Sequence, residues 1–198
     1  MTREYQSGTN LQKSILNGIN LLADNVASTL GPRGRNVILH QKGNNPIITK
    51  DGVTVSNFIE VENSFENAGV QILKQAATQT NNSAGDGTTT TTVLARAIVE
   101  HSQKYLAAGA SPIELKRGID KATAKVISGL EEMSRPVMSE EDIAHIATIS
   151  ANGDKTIGKL IATAVDLAGK DGAITIEEAR STETTLDVVE GFRFDSGY

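Results

Sequence analysis

One short segment of the chain combines the residue types of an anion site and a metal site. Asp86 stands between Gly85 and Gly87, and five threonines, Thr88 to Thr92, follow directly. The glycines let backbone amides approach a ligand closely and let the chain turn with positive φ. If the threonines begin a helix, the unpaired amides of its first turn can hold a phosphate. Asp86 can then supply an oxygen ligand to the Mg²⁺ that accompanies a nucleotide phosphate.

The threonine run also needs a physical reason. Threonine is about 0.6 kcal/mol less favourable than alanine inside a helix, so five in a row cost on the order of 3 kcal/mol of helix propensity. Hydroxyls that cap amides or bind ligand oxygens would offset that cost. The alternative is a Gly-Asp-Gly turn that leads into a threonine-rich strand. The continuation to Leu106 keeps helical spacing without strict alternation, which favours the helix, and the absence of a following Gly-Lys-Ser/Thr excludes a P-loop.

Two further segments contain glycine together with groups that could contact a nucleotide. Residues 29–35 (TLGPRGR) have two glycines around a proline, and residues 49–52 (TKDG) add a lysine and a second aspartate. Taken singly, the first is better explained as a helix C-cap with a basic surface turn, and the second as a turn with an exposed ion pair. Together with the glycine-flanked aspartate, they make a phosphate and Mg²⁺ site the better interpretation.

Composition limits the classes of function. The 198 residues are 38% hydrophobic, which suffices for a core, and carry a net charge of −5 without a basic block, so we expect no nucleic-acid partner. There are no cysteines, which excludes thiol catalysis and thiolate metal sites. No apolar run reaches the length of a membrane span, so we expect no membrane partner and a cytoplasmic location.

Apolar spacing predicts the elements that position these segments. Long helices are expected over 11–30, 65–83, 88–106 and 112–133, and short apolar runs at 36–39 and 47–49 predict a hairpin. After Met133, shorter helices are expected to open at 139 and 154, followed by strands at 173–176, 186–190 and 192–194. Domain boundaries are expected near residues 134 and 191.

Four motifs occur in the order and spacing of a known family. They are LGPRGRNV (30–37), TKDGVTV (49–55), GDGTTT (85–90) and ISAN (149–152), and in these the chain resembles the group I chaperonins, the GroEL/Hsp60 family. The GDGTT motif also occurs in group II chaperonins. The segments GRNV (34–37) and VVEG (188–191) resemble group I.

The resemblance implies a fold and a function. The fold would be the first part of a mainly α equatorial-type, ATP-binding domain with a small β-hairpin (1–133), then the first part of an α+β intermediate hinge domain (134–190) and the start of an apical domain (191–198). The function would be that of an ATP-dependent chaperone that hydrolyses ATP to drive encapsulation and folding of non-native proteins. It would work in a ring of identical subunits with a lid-like co-chaperonin. Three residues differ from those usual in the family: Arg33, Thr91 and Ser196.

The resemblance also implies roles for individual residues, with ATP or ADP, Mg²⁺ and K⁺ as cofactors. Asp86 would ligate Mg²⁺, and Asp51 would act in catalysis near the γ-phosphate. The remaining residues would line the nucleotide (Thr29, Leu30, Pro32), offer backbone carbonyls to K⁺ (Thr29, Lys50) or hold phosphate oxygens (Gly87, Thr88, Thr89, Thr90).

Other interpretations stay open from sequence. The resemblance reaches only the beginning of the apical domain, so these 198 residues alone are expected to bind nucleotide weakly and to turn it over poorly. One alternative is a truncated regulatory or decoy subunit that binds nucleotide or joins rings without completing the cycle. Another is a separate phosphate-dependent enzyme, for which His40, His101 and His145 offer no convincing base.

Overall fold

A computed structural model of the chain describes residues 4–169, 172–177, 184–189 and 191. Within these residues the chain is mainly helical and has one two-stranded sheet, which confirms the expected fold class. No helix among them is long and apolar enough to cross a membrane. In chain order the elements are α1 (Gly8–Ala27), β1 (Val37–Leu39), β2 (Ile47–Thr49), α2 (Gly52–Phe58), α3 (Ser64–Ala84), α4 (Thr88–Ala107), α5 (Pro112–Met133), α6 (Glu140–Ser150) and α7 (Lys155–Ala168).

Contacts divide the chain into two units, Met1–Ile127 and Ser128–Tyr198. The division falls within α5, a few residues before the boundary expected near residue 134. All three segments of the predicted site belong to the first unit. In the second unit, α6 and α7 pack against each other.

The core of the first unit lies where α1, α3 and α4 meet, with α2 and β1 beside them. These elements bury aliphatic side chains rather than aromatic ones, in a chain with only 4% aromatic residues. On the surface, Arg96 of α4 forms an ion pair with Asp24 of α1. The buried apolar residues are Ile19, Leu22, Ala23, Val26, Leu39, Val55, Val70 and Leu73.

Most of the predicted element boundaries are confirmed. The hairpin pairs β1 and β2 antiparallel, with Val37 opposite Thr49. The two shorter helices open as expected because polar side chains cap them. Ser139 accepts from the amide of Asp142 at the start of α6, and Asp154 accepts from the amides at the start of α7.

One element was not predicted and two predicted strands were wrong. Residues 49–52 were expected to form a tight turn at a strand end; β2 does end at Thr49, but a helix, α2, begins at Gly52 with Asp51 as its N-cap. The segments 173–176 and 186–189 were expected to be strands, but they have no regular structure. A strand requires a partner for its backbone groups, and within the described residues neither segment pairs with one. The expected strand at 192–194 and the variant position Ser196 lie outside the described residues.

Candidate functional site

The glycine-flanked aspartate lies in the three-residue connection between α3 and α4. Gly85 ends α3 in the left-handed conformation, with φ of 72°, and its amide donates to the carbonyl of Asn81 at 2.8 Å. Gly87, with φ of 84°, is the N-cap of α4, and Thr88 is the first helical residue. The predicted helix start is therefore confirmed, and the alternative of a threonine-rich strand is wrong.

The start of α4 differs from most helix starts in this protein. In the described part of the chain, side chains of the N-cap residue accept backbone amides at the starts of α2, α3, α6 and α7. Gly87 has no side chain to do this. The carboxylate of Asp86 lies at this helix start, where Oδ1 accepts the amide of Gly87 at 2.6 Å. The first amides of α4 are thus suited to an external acceptor such as phosphate.

The five threonines divide into different roles. Thr88 and Thr92 are buried, and the Thr92 hydroxyl donates to the Thr88 carbonyl at 2.9 Å. The Thr91 hydroxyl lies 2.9 Å from the Thr80 hydroxyl of α3. Thr89 is half-buried and Thr90 is exposed. The side chains of Thr89 and Thr90 are therefore the more accessible to a ligand, while Thr88 would act through its amide.

Asp51 occupies the start of α2. Its carboxylate accepts from the amide of Val53 at 3.3 Å, from the amide of Thr54 at 2.8 Å and from the Thr54 hydroxyl at 2.6 Å. Its own amide donates to the Thr49 hydroxyl at 3.0 Å. These bonds fix the carboxylate at the helix start while the residue stays exposed. Lys50, beside it, is half-buried.

The starts of α2 and α4 touch each other. A β-carbon added to Gly52 would lie 2.1 Å from the Thr89 hydroxyl oxygen and 3.4 Å from Val26 at the end of α1. Real β-carbons do not approach another atom as closely as 2.1 Å, so any larger residue at position 52 would force the Thr89 side chain or the helix starts to shift. Two of the three predicted segments therefore meet at Gly52, and the end of α1 leads into the third.

The third segment forms a compact turn after α1. The Thr29 hydroxyl is buried and donates to the Val26 carbonyl at 2.8 Å. The amide of Gly34 donates to Gly31 at 2.9 Å, and the amide of Arg35 donates to Ser28 at 2.9 Å. Because the Thr29 hydroxyl is engaged within the protein, any ligand contact of Thr29 would use its backbone, as the predicted K⁺ contact does. Leu30 and Pro32 are exposed.

The donor set agrees with Mg²⁺ held jointly with a nucleotide. Among the described residues, no group of three or more His, Cys, Asp or Glu side chains could hold a metal ion. Mg²⁺ commonly binds one or two carboxylates together with substrate phosphates and waters, rather than a cage made only of protein ligands. Asp86, beside a helix start whose N-cap is glycine, fits that arrangement. The individual roles of the site residues stay predictions.

Sequence reasoning missed two features of this region. The first is α2, whose Asp51 cap was interpreted as part of a turn. The second is a contact between the hydroxyls of Thr80 and Thr91, 2.9 Å apart, which joins α3 to α4. No sequence pattern indicates that contact, because the two residues belong to different helices.

Comparisons with known proteins agree with this architecture. Residues 22–198 match the model of the TCP-1/cpn60 chaperonin family. The crystal structure of a group III chaperonin in the open state is similar to this chain with a TM-score of 0.67 and 23% sequence identity. The match covers 80% of this chain and 32% of that one, so the chain spans about a third of the length of that chaperonin. With nearly its whole length matched by the family model, the chain belongs to the TCP-1/cpn60 chaperonin family.

Proposed function

We propose that the protein is an ATP-dependent molecular chaperone of the group I type, which binds and hydrolyses ATP to drive encapsulation and folding of non-native proteins. Family membership supports a chaperonin function. The observation that carries the nucleotide site is the start of α4, where the N-cap is a glycine, Asp86 lies next to it in the chain, and Thr89 contacts the start of α2.

Each residue of the site would act through a particular group: an amide, a hydroxyl, a carboxylate or a backbone carbonyl. The amides of the first turn of α4 would bind phosphate oxygens, aided by the hydroxyls of Thr89 and Thr90, and Asp86 would bind Mg²⁺. Asp51 would orient the attacking water or a water of the metal shell. The other contacts would be those of Gly87 to phosphate, of Leu30 and Pro32 to the nucleotide, and of the Thr29 and Lys50 carbonyls to K⁺.

Such an arrangement suits phosphoryl transfer. Hydrolysis of a phosphoanhydride needs little covalent chemistry from the protein, because catalysis rests mainly on positioning and on neutralising charge. A bound Mg²⁺ would neutralise charge on the phosphate oxygens. The protein would supply two carboxylates on adjoining helix starts, held by a glycine contact, and the positive end of the α4 dipole.

The remaining parts of the proposal concern the assembly. By its family the protein would form a ring of identical subunits in the cytoplasm and receive non-native polypeptides, with a co-chaperonin as lid. The group I assignment rests on the GRNV (34–37) and VVEG (188–191) segments. Stimulation of client refolding by an added lid protein would support it, and full refolding activity without any lid would contradict it.

The test of the nucleotide site is steady-state ATP hydrolysis by the full-length protein. Replacing Asp86 by Asn keeps the size of the side chain and removes its charge, so turnover should fall by about a hundredfold or more as metal binding is lost. The matched control is Asp120→Asn on α5, which removes only an exposed ion pair with Lys116 and should leave turnover unchanged. Wild-type turnover in Asp86→Asn would overturn the assignment.

A further inference from the structure

The hydroxyl contact between Thr80 and Thr91 joins two helices on either side of the Asp86 connection. The two oxygens are 2.9 Å apart, and both residues are half-buried. Thr80 Oγ1 also lies 3.1 Å from the carbonyl of Ala76, in its own helix. If Thr80 donates its single hydroxyl hydrogen to that carbonyl, the hydrogen in the contact between the helices comes from Thr91.

The position of this bond relative to the site is what gives it significance. Thr80 lies in the last turns of α3 and Thr91 in the first turn of α4. The bond therefore joins the two helices close to the three residues that connect them, Gly85 to Gly87. The Thr80 methyl group also adjoins the N-cap of α4, since a β-carbon on Gly87 would lie 3.8 Å from Thr80 Cγ2. Two glycines at positive φ give the connection itself little intrinsic rigidity.

We propose that Thr80 and Thr91 are positioning residues of the metal site. Their hydrogen bond fixes the start of α4 against the end of α3, and so holds the Asp86 carboxylate in register with the amides of the first turn of α4. The proposed role requires no contact between either residue and the ligand. The inference rests on the proposed function, because it assigns these residues to the orientation of a Mg²⁺ ligand.

If the bond between Thr80 and Thr91 had only a structural role, its loss would change the stability of the fold and not the Mg²⁺ dependence of ATP hydrolysis. Helices α3 and α4 contact each other and both pack against α1, so the fold does not depend on a single neutral hydrogen bond. Metal affinity is more sensitive, since loss of a group that orients a metal ligand typically costs ten- to a hundredfold in affinity. The positioning role therefore predicts a change in Mg²⁺ dependence that is larger than any change in stability.

The test replaces Thr91 with Val, which keeps the shape and removes the hydroxyl, in the full-length protein. We expect the Mg²⁺ concentration for half-maximal ATP hydrolysis to rise by about tenfold, while ATP binding measured in EDTA is unchanged. Thr91→Ser, which keeps a hydroxyl, should restore the wild-type value. The control is Ser102→Ala, which removes a hydroxyl elsewhere on α4 that donates to the Ile98 carbonyl and should leave Mg²⁺ dependence unchanged.

A double-mutant cycle tests whether the two threonines act as a pair. Thr80→Val should raise the Mg²⁺ requirement as Thr91→Val does, and the double variant should be no worse than either single variant. If Thr91→Val fails to fold, Thr91→Ala removes the hydroxyl without placing a methyl group at its position and carries the same expectation.

Two results would overturn the inference. Wild-type Mg²⁺ dependence in Thr91→Val, or fully additive effects in the cycle, would remove the positioning role and leave the proposed function intact. A wild-type protein that neither binds nor hydrolyses ATP would remove the proposed function, and the inference with it.

Discussion

The starts of α2 and α4 lie against each other and satisfy their backbone amides in opposite ways. At α2, the Asp51 carboxylate accepts from the amides of Val53 and Thr54. At α4, the N-cap is Gly87, which contributes no acceptor from a side chain. Both helices thus present a carboxylate at a positive helix end, but only at α2 does the carboxylate belong to the N-cap residue itself.

This difference separates a self-contained element from one suited to a ligand. A side-chain cap contributes about 1 kcal/mol to a helix, so the absence of such a cap at α4 has a cost. A nucleotide phosphate would supply an acceptor where the N-cap residue supplies none. On this account, α2 serves as a rigid support that presents Asp51, and α4 receives the ligand.

After that of Asp86→Asn, the largest effect expected at the two helix starts concerns the charge of Asp51. Asparagine caps helices about as well as aspartate, so Asp51→Asn should change the free energy of unfolding by less than about 0.5 kcal/mol. Loss of the carboxylate from the site should nevertheless lower ATP turnover by about a hundredfold. Measuring turnover and chemical denaturation on the same variant separates the two roles. Wild-type turnover in Asp51→Asn would show that Asp51 acts only as a helix cap and not in catalysis.

The next effect concerns the cap itself. Asp51→Ala removes both the charge and the acceptor, so it should lose turnover as Asp51→Asn does. Its free energy of unfolding should be lower than that of Asp51→Asn by about 1 kcal/mol. Denaturant unfolding of the two variants measures the difference. Equal stability of the alanine and asparagine variants would show that the cap of α2 contributes nothing.

A smaller effect is expected where the two helix starts touch. A β-carbon at Gly52 would overlap the Thr89 hydroxyl, so Gly52→Ala should cost about 1–3 kcal/mol of unfolding free energy. Thr89→Ala removes the overlapping oxygen, so the double variant should recover most of that loss.

The control for this change is an open glycine in a helix. Gly118 of α5 has nothing within 4 Å of an added β-carbon, so Gly118→Ala should stabilise the protein by up to about 1 kcal/mol. Purely additive losses in Gly52→Ala and Thr89→Ala would contradict the contact between the two starts.

The smallest effect is a pH dependence at α6, a third helix start and one that is capped by its own residues. Asp142 Oδ2 lies 3.2 Å from the Ser139 amide, and the Ser139 hydroxyl accepts the Asp142 amide at 3.1 Å. The pKa of Asp142 is lowered, first by the hydrogen bond with the Ser139 side chain and then by the bond from the Met138 amide.

Because the folded pKa lies below the unfolded one, the contribution of Asp142 to stability is complete above the unfolded pKa of about 4. It disappears as pH falls through the lowered folded value. Thermal unfolding of wild type and Asp142→Asn should therefore differ at pH 7 and converge in acid. A constant difference between the two proteins from pH 7 to pH 2 would contradict this assignment.

Sequence patterns predicted the helices whose starts are marked by residues next to them in the chain, such as caps and glycines. The starts of α6 and α7 could be predicted because Ser139 and Asp154 are caps, and the start of α4 because glycines flank Asp86. Helix α2 was missed since seven residues are too few to display a helical period, and its Asp51 cap also suits a turn.

The remaining errors concern partners that local sequence does not encode. The runs at 173–176 and 186–189 have the composition of strands, but β propensity largely reflects packing against neighbouring strands rather than an intrinsic backbone preference. The approach of Gly52 to Thr89 and the bond between Thr80 and Thr91 depend on how helices pack. Neither could be predicted from spacing along the chain.

The most direct test of the account is residue-resolved amide hydrogen exchange of the full-length protein, with and without MgATP. ATP is expected to slow exchange at the amides of Thr88, Thr89 and Thr90, and to leave exchange at Val53 and Thr54 nearly unchanged because Asp51 already accepts those amides. Unaltered exchange at the three threonine amides under saturating MgATP would contradict the claim that the start of α4 binds the nucleotide phosphates.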